Sequence, residues 1–135
     1  DPFTTLIIRN LPDSIDTQER ALEWLDTAGF QNQYNFFLYL PAKRRRLQPV
    51  THGGPPQGLA YAFVNFRDTA SAQMCVEALN GKLLAESGPA LSVVVAKVQG
   101  IEECMSHFSS LSESGRVAFW VDPCIGQAPF FFKFQ

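Results

Sequence analysis

The segment at residues 59–66 constrains this chain more than any other. Its sequence, Leu-Ala-Tyr-Ala-Phe-Val-Asn-Phe, alternates as a β-strand does. The even positions carry Ala, Ala, Val and Phe, which we expect to face a core. Tyr61 and Phe63 share the other face, where a half-exposed strand normally carries polar side chains. Two large rings on that face favour stacking against a planar ligand, above all a nucleobase.

Length and composition fit one globular domain with an appended segment. The chain has 135 residues and is 46% hydrophobic, which is enough for a real core. Its first residues show neither the charged start nor the apolar stretch of a signal peptide, and no apolar run could span a membrane. Three cysteines fit a reducing compartment, so we expect an intracellular protein, nuclear or cytoplasmic. The net charge of -2 argues against a purely electrostatic grip on nucleic acid.

Sequence periodicity predicts the element order strand, helix, strand, strand, helix, strand. Asp16 is the expected cap of the first helix and Gly29 its stop, while Asp68 caps the second. This order is the split βαβ arrangement of the α+β class, a ferredoxin-like sandwich. It predicts a four-stranded antiparallel sheet with both helices on one face and the other face free. The strands are expected at 6–11, 34–40, 59–66 and 91–98.

The last part of the chain predicts a C-terminal helical extension packed on that sandwich. We place the core at residues 1–99 and the extension at 100–135. Apolar residues at i, i+3, i+4 and i+7 predict an amphipathic helix over about 100–111. The residues at 117–121 could form an extra strand. The aromatic tail at 130–134 should pack on this chain or on a partner.

Two of the predicted strands resemble the paired RNP motifs of the RNA recognition motif (RRM) family. In the hexamer at 6–11 the aliphatic, Asn and Leu positions match, but Ile7 stands where the family usually has an aromatic residue. In the octamer at 59–66 the aromatic, small and aliphatic positions match, while Leu59 replaces a basic residue and Ala60 a glycine. Both motifs occur in the right order with a helix pattern between them, which favours the RRM fold.

Further runs resemble the C-terminal RRM of the Mei-two-like meiosis regulators. They lie at 4–12, 34–41, 58–65 and 96–100, the last leading into a helix that carries His and Phe. The hexamer of that family also tends to lack the aromatic residue. The resemblance implies single-stranded RNA as the partner and one module of a larger, nuclear RNA-binding regulator as the context.

The open sheet face is the expected RNA platform. Tyr61 and Phe63 would stack on bases, and Ile7 would give an apolar contact. Polar and cationic residues on the same parity or at its edge would bond phosphates or base edges, and a basic loop would supply electrostatic capture. The predicted RNA-contacting set is Ile7, Arg9, Tyr39, Lys43, Arg44, Arg45, Arg46, Tyr61, Phe63, Asn65, Lys97 and Gln99.

Several alternatives remain open on sequence alone. The third helix could cover the sheet and bury Tyr61 and Phe63 as core, and the domain would then serve protein interaction or self-association through its extension. The basic run at 43–46 could be a solvated loop or a localisation signal.

Catalytic and cofactor chemistry have little support in the sequence. A metal site would need Cys104 and His107 with Cys124, and its fourth ligand would have to be His52 in a loop, so we predict no metal. The chain shows no catalytic constellation and no phosphate-binding glycine loop, so we predict no enzyme activity and no cofactor.

Overall fold

The computed structural model describes residues 2–41, 59–86, 88–113 and 118–123. The basic run at 43–46 and the aromatic tail at 130–134 therefore lie outside the described residues.

Among the described residues, five antiparallel strands form one sheet in the order β4-β1-β3-β2-β5. The predicted α+β sandwich is confirmed, with five strands in the sheet instead of the expected four. The fourth strand is shorter than expected, and the third helix matches its prediction to within two residues. The elements are β1 (Thr5–Leu11), α1 (Gln18–Leu25), β2 (Tyr34–Leu40), β3 (Ala60–Phe66), α2 (Thr69–Leu79), β4 (Ser92–Val95), α3 (Ile101–Glu113) and β5 (Trp120–Val121).

Side chains at the helix ends fix where α1 and α2 begin and stop. Thr17, not Asp16, caps α1, because its hydroxyl accepts from the backbone N–H of Arg20 at 3.1 Å. After α1 a π-helical turn runs to Phe30, and Gly29 within it has φ +110°, a conformation that favours glycine. Asp68 caps α2 as predicted, accepting from the backbone N–H of Ser71 at 2.7 Å.

Two apolar layers hold the sheet, one on each face. On one face, α1 and α2 pack against the even-numbered positions of β1 and β3, and the shared core is fully buried. On the other face, α3 packs through Cys104 and Phe108 against Phe36 and Leu38 of β2. The extension thus contributes a second, smaller core on the face that the βαββαβ order alone would leave free.

The extra strand β5 lengthens the sheet along the free edge of β2. It has two residues and both pair with β2, Trp120 with Phe37 and Val121 with Phe36. The Gln18 side chain supports the join, since its Oε1 accepts from the N–H of Tyr39 at 3.0 Å and its Nε2 donates to a carbonyl just before β5 at 2.8 Å. A four-stranded sheet was expected because a strand this short carries little alternation to reveal its partner.

Candidate nucleic-acid interface

The sheet face opposite α1 and α2 is divided into a covered half and an open half. The covered half belongs to β2, where Phe36 and Leu38 are fully buried beneath α3. The open half belongs to the remaining outward-facing positions of β1, β3 and β4, apart from Thr5 and Asn65, which are also buried beneath α3. Cross-strand pairing aligns Ile7 with Phe63 on one side and with Val94 on the other, and Arg9 with Ser92. We call this open half the open strip; its residues are Ile7, Arg9, Tyr61, Phe63, Ser92 and Val94.

Two aromatic rings lie side by side in the open strip. Tyr61 and Phe63 are both half-buried, so neither ring is closed off as core. Their ring centroids are 6.1 Å apart with the planes inclined at 63°. Phe63 also contacts Phe108 of α3, with centroids 4.8 Å apart. The third helix therefore covers part of the Phe63 ring without roofing the pair.

Two of the predicted cations, Arg9 and Lys97, are exposed. Arg9 is exposed on β1, two residues along the same face from Ile7, and Lys97 is exposed just after β4. Their contact with RNA stays a prediction. The other four predicted cations, Lys43, Arg44, Arg45 and Arg46, lie outside the described residues.

A buried polar network beneath α3 takes Asn65 out of the interface. Asn65 is 3% exposed and Thr5 is fully buried. Asn65 Oδ1 accepts from Thr5 Oγ1 at 2.6 Å and from Thr4 Oγ1 at 2.8 Å, while its Nδ2 donates to Asn35 Oδ1 at 2.8 Å. The prediction that Asn65 contacts RNA is corrected, because both ends of its amide are bonded within the protein.

Gln99 also has internal partners for its whole amide group. Its Oε1 accepts from the backbone N–H groups of Thr4 at 2.9 Å and Thr5 at 3.0 Å. Its Nε2 donates to the carbonyls of Thr5 at 2.9 Å and Ala96 at 2.7 Å. An amide has two donors and one oxygen with two lone pairs, so no donor or acceptor is left over for a base edge. The predicted base-reading role of Gln99 is therefore corrected to a structural one.

Tyr39 lies on the opposite face of the sheet and is the third correction. It is 8% exposed within the core beneath α1, and its hydroxyl donates to the carbonyl of Ile15 at 2.8 Å. Burial raises the pKa of Tyr39, and the carboxylates of Asp16 and Asp13 raise it further. A ring held on the helix side cannot extend the platform.

The β4 positions of the open strip were not singled out by sequence reasoning. Ser92 and Val94 are half-buried and alternate with the core-facing Val93. Alternation alone could have placed them on the open face, but neither residue type has a chemistry that suggests nucleic-acid binding. They widen the strip beyond β1 and β3 and add one hydroxyl to an otherwise apolar edge.

The structure brings together no metal-binding cluster in residues 2–41, 59–86, 88–113 and 118–123. Cys104 is buried against the Thr5 hydroxyl, at 3.7 Å, and burial raises the pKa of its thiol to about 11. His107 is exposed, with its ring against Phe108. Cys124 and His52 lie outside the described part of the chain. Within that part, no helix has the length and apolar character needed to cross a membrane.

Comparison with known proteins gives a single kind of match. No protein-family model matches the chain, and no curated protein does either. A solved structure described as "Structure of RNA15 RRM" is similar to it, with 22% sequence identity and a TM-score of 0.43, covering 71% of this chain and 92% of that chain. A likeness of this size says nothing about what the chain binds, which the geometry of the open strip has to decide.

Proposed function

We propose that this chain binds single-stranded RNA through the open strip. The observation that carries the proposal is the pair of half-buried rings, Tyr61 and Phe63, side by side on a central strand with the exposed guanidinium of Arg9 on the adjacent strand. Unpaired bases expose flat faces that stack on such rings, at about 1–3 kcal/mol for each base. Ile7 and Val94 offer apolar contact beside the rings. The RNP-like motifs at 6–11 and 59–66, which contain these same residues, support the same chemistry.

Positive charge would supply the remaining affinity. Arg9 lies in the strip, Lys97 follows β4, and the run at 43–46 holds four of the eleven basic residues of the chain. With about three to five phosphates neutralised, the slope of log affinity against log salt would be roughly -2 to -3.5 for a single strand. A chain of net charge -2 needs its cations concentrated near the site for such capture.

The wider context of the proposal rests on sequence resemblance. The runs at 4–12, 34–41, 58–65 and 96–100 support a role as one module of a larger RNA-binding regulator of the Mei-two-like type, acting in the nucleus. The proposed division into a core of residues 1–99 and an extension of 100–135 belongs to the same resemblance. Expression of the parent protein with and without this chain, followed by recovery of crosslinked RNA, tests that context. Equal RNA recovery from both forms would contradict it.

Replacing Tyr61 gives the cleanest test of RNA binding. Phe63→Ala would also remove the contact with Phe108, so a loss of affinity there could reflect damage to α3. Tyr61→Ala removes a half-exposed ring and should weaken binding to a short single-stranded RNA by about 1–3 kcal/mol, because one base loses its stacking partner. Tyr61→Phe retains the ring and should bind within about twofold of the wild type. Equal affinity of all three proteins in a fluorescence titration would refute the stacking role.

The covered half of the sheet favours a second candidate, protein recognition with an occluded face. Its supporting observation is the packing of Phe108 on Phe36 and Phe63, at 5.9 and 4.8 Å between ring centroids. Under this reading Tyr61→Ala leaves RNA affinity unchanged, and the extension mediates protein contact or self-association. Light scattering of the full chain against a chain ending after residue 123 tests the self-association variant. Equal monomer masses would exclude it over the concentrations measured.

A further inference from the structure

We propose that α3 stays docked on the sheet while RNA binds, so that the strand is confined to the open strip and never reaches β2. The inference rests on the proposed RNA binding and specifies its footprint. It assigns α3 the role of a fixed wall beside a short site for about two stacked bases, one on each ring of the Tyr61 and Phe63 pair.

Hydrogen bonds, as well as apolar packing, fix the start of α3. The N–H of Gly100, immediately before α3, donates to Thr5 Oγ1 at 2.9 Å. The backbone N–H of Gln99 donates to Glu103 Oε1 at 3.0 Å, and the Gln99 amide makes four bonds to the backbone of residues 4, 5 and 96. Lifting the helix at this end would break bonds that are shared with the first strand of the sheet.

Undocking of α3 would expose buried side chains of the sheet to water. Thr5 and Asn65 form their hydrogen bonds beneath α3, and Phe36 and Leu38 have no exposed surface while the helix is in place. Removing α3 would bring two large apolar side chains of β2 and the Phe108 ring into water together. Burial of each such side chain contributes about 1.5–3 kcal/mol. Bases stack on exposed rings, and the open strip already provides two of these. RNA therefore has little to gain by displacing α3.

Polar and charged side chains are distributed unevenly over the outward face of the sheet. Of the outward positions of β2, Phe36, Leu38 and Leu40 are apolar, as expected beneath a permanent cover. The polar side chain of Asn35 is hydrogen-bonded to Asn65 within the protein, whereas the open strip carries Arg9 and Ser92. A phosphate-binding cation is thus present where the face is open. Among the outward-facing residues of β2 that the structure describes, none is cationic. The electrostatics and the packing therefore assign the RNA to the same half.

Hydrogen exchange without RNA tests the docking itself. We expect backbone amides at 104–108 in α3 to exchange within about tenfold of the rates of the β1 amides, because the helix opens only when the sheet opens. Adding a short single-stranded RNA should leave those amides equally or more protected. Exchange in α3 that is more than about a hundredfold faster than in β1, or that accelerates on adding RNA, would overturn the proposal.

A disulfide between the sheet and α3 tests the footprint. Thr5 Oγ1 and Cys104 Sγ are 3.7 Å apart, so a small rotation in a Thr5→Cys variant brings two sulfur atoms toward the bonding distance of about 2.05 Å. The oxidised and reduced forms of this one variant differ only in whether α3 can leave, and mass spectrometry identifies each form. We expect their RNA affinities to agree within about twofold.

The outcomes separate this inference from the proposed function. Loss of RNA binding in the oxidised form, with binding retained in the reduced form and in the wild type, would show that α3 must lift and would overturn the fixed wall. Failure of the wild type itself to bind RNA would overturn the proposed function, and with it the footprint, whatever the exchange data show about docking. Should the disulfide fail to form, the exchange measurement on the unmodified chain decides the question.

Discussion

The hydroxyl of Thr5 is the atom through which α3 depends most directly on the sheet. It accepts from the N–H of Gly100 at 2.9 Å, donates to Asn65 Oδ1 at 2.6 Å and lies 3.7 Å from Cys104 Sγ. Thr5→Val keeps the size and branching of the side chain and removes only these polar contacts. Asn65 Oδ1 still receives the Thr4 hydroxyl, at 2.8 Å, so the loss falls chiefly on the Gly100 N–H.

The magnitude follows from the donor left without a partner. An unsatisfied donor costs about 1–3 kcal/mol when buried, and the Gly100 N–H is partly buried, so Thr5→Val should lower the free energy of unfolding by about 1–2 kcal/mol. Thr4→Val is the matched control, because Thr4 Oγ1 bonds only an oxygen that keeps Thr5 as a second donor. Its loss should be about 0.5–1 kcal/mol, the net contribution of an ordinary hydrogen bond. Thr5→Ser retains the hydroxyl and should restore the Gly100 contact.

Urea unfolding, followed by the fluorescence of Trp24 and Trp120, measures all three variants. The midpoint should shift most for Thr5→Val, with the slope against urea unchanged if the folded and unfolded states bury the same surface. Equal losses for Thr4→Val and Thr5→Val would refute the reasoning, because they would mean that the Thr5 hydroxyl has no special part in holding α3.

Three further perturbations test the interface, the buried thiols and the edge strand. Arg9→Ala should weaken RNA binding and reduce the slope of log affinity against log salt by about 0.7. Arg20→Ala, on the exposed surface of α1, should change neither the affinity nor the slope. Equal slopes for the two variants would show that Arg9 is not in the interface. Burial raises the pKa of the Cys75 thiol to about 12 and that of the Cys104 thiol to about 11, from the usual 9. Because the unfolded chain loses these protons at lower pH than the folded protein, the free energy of unfolding should fall as pH rises above about 9. Urea midpoints that stay constant from pH 8 to 11 would contradict this. Gln18→Ala removes both bonds through which Gln18 of α1 joins the segment before β5 to β2, and should cost about 1–2 kcal/mol in urea unfolding. A midpoint equal to wild type would show that these bonds contribute nothing and that the β5 ladder, the packing of Trp120 and the Arg67–Asp122 ion pair hold the strand.

The helix-facing side of this sheet could be predicted from sequence because alternation and helical stripes point to the same core. The even positions of the segment at 59–66 were expected inside and are buried against α1 and α2. The parity of β2 could not be assigned in this way, because both of its faces are apolar. A register shift between Tyr34 and Phe36 brings Tyr34 and Phe37 to the same core. Tyr39 follows Phe37 onto the helix side, where parity alone had left its face undecided.

Polar side chains were the hardest to place, because their partners are distant in sequence. Asn65 has the parity of the open face, and Gln99 follows the fourth strand, so both suggested base recognition. The amide oxygens of both residues accept from Thr4 and Thr5, 60 residues or more away along the chain. No local pattern announces such a bond, since an amide that reads a base and an amide that ties two strands together have the same identity and spacing.

The division of the sheet face can nevertheless be inferred from the sequence of β2, whose two faces are both largely apolar. Phe36, Leu38 and Leu40 alternate on β2 with a second apolar set, so a strand of this kind needs cover on both sides. α1 and α2 can cover only one of them. The helix predicted over 100–111 has an apolar stripe that also needs a partner, and the two requirements satisfy each other. Arg9 on β1 is charged and needs no apolar cover. On the same reasoning, the sheet face around Arg9 is predicted to stay open and the third helix to pack on β2.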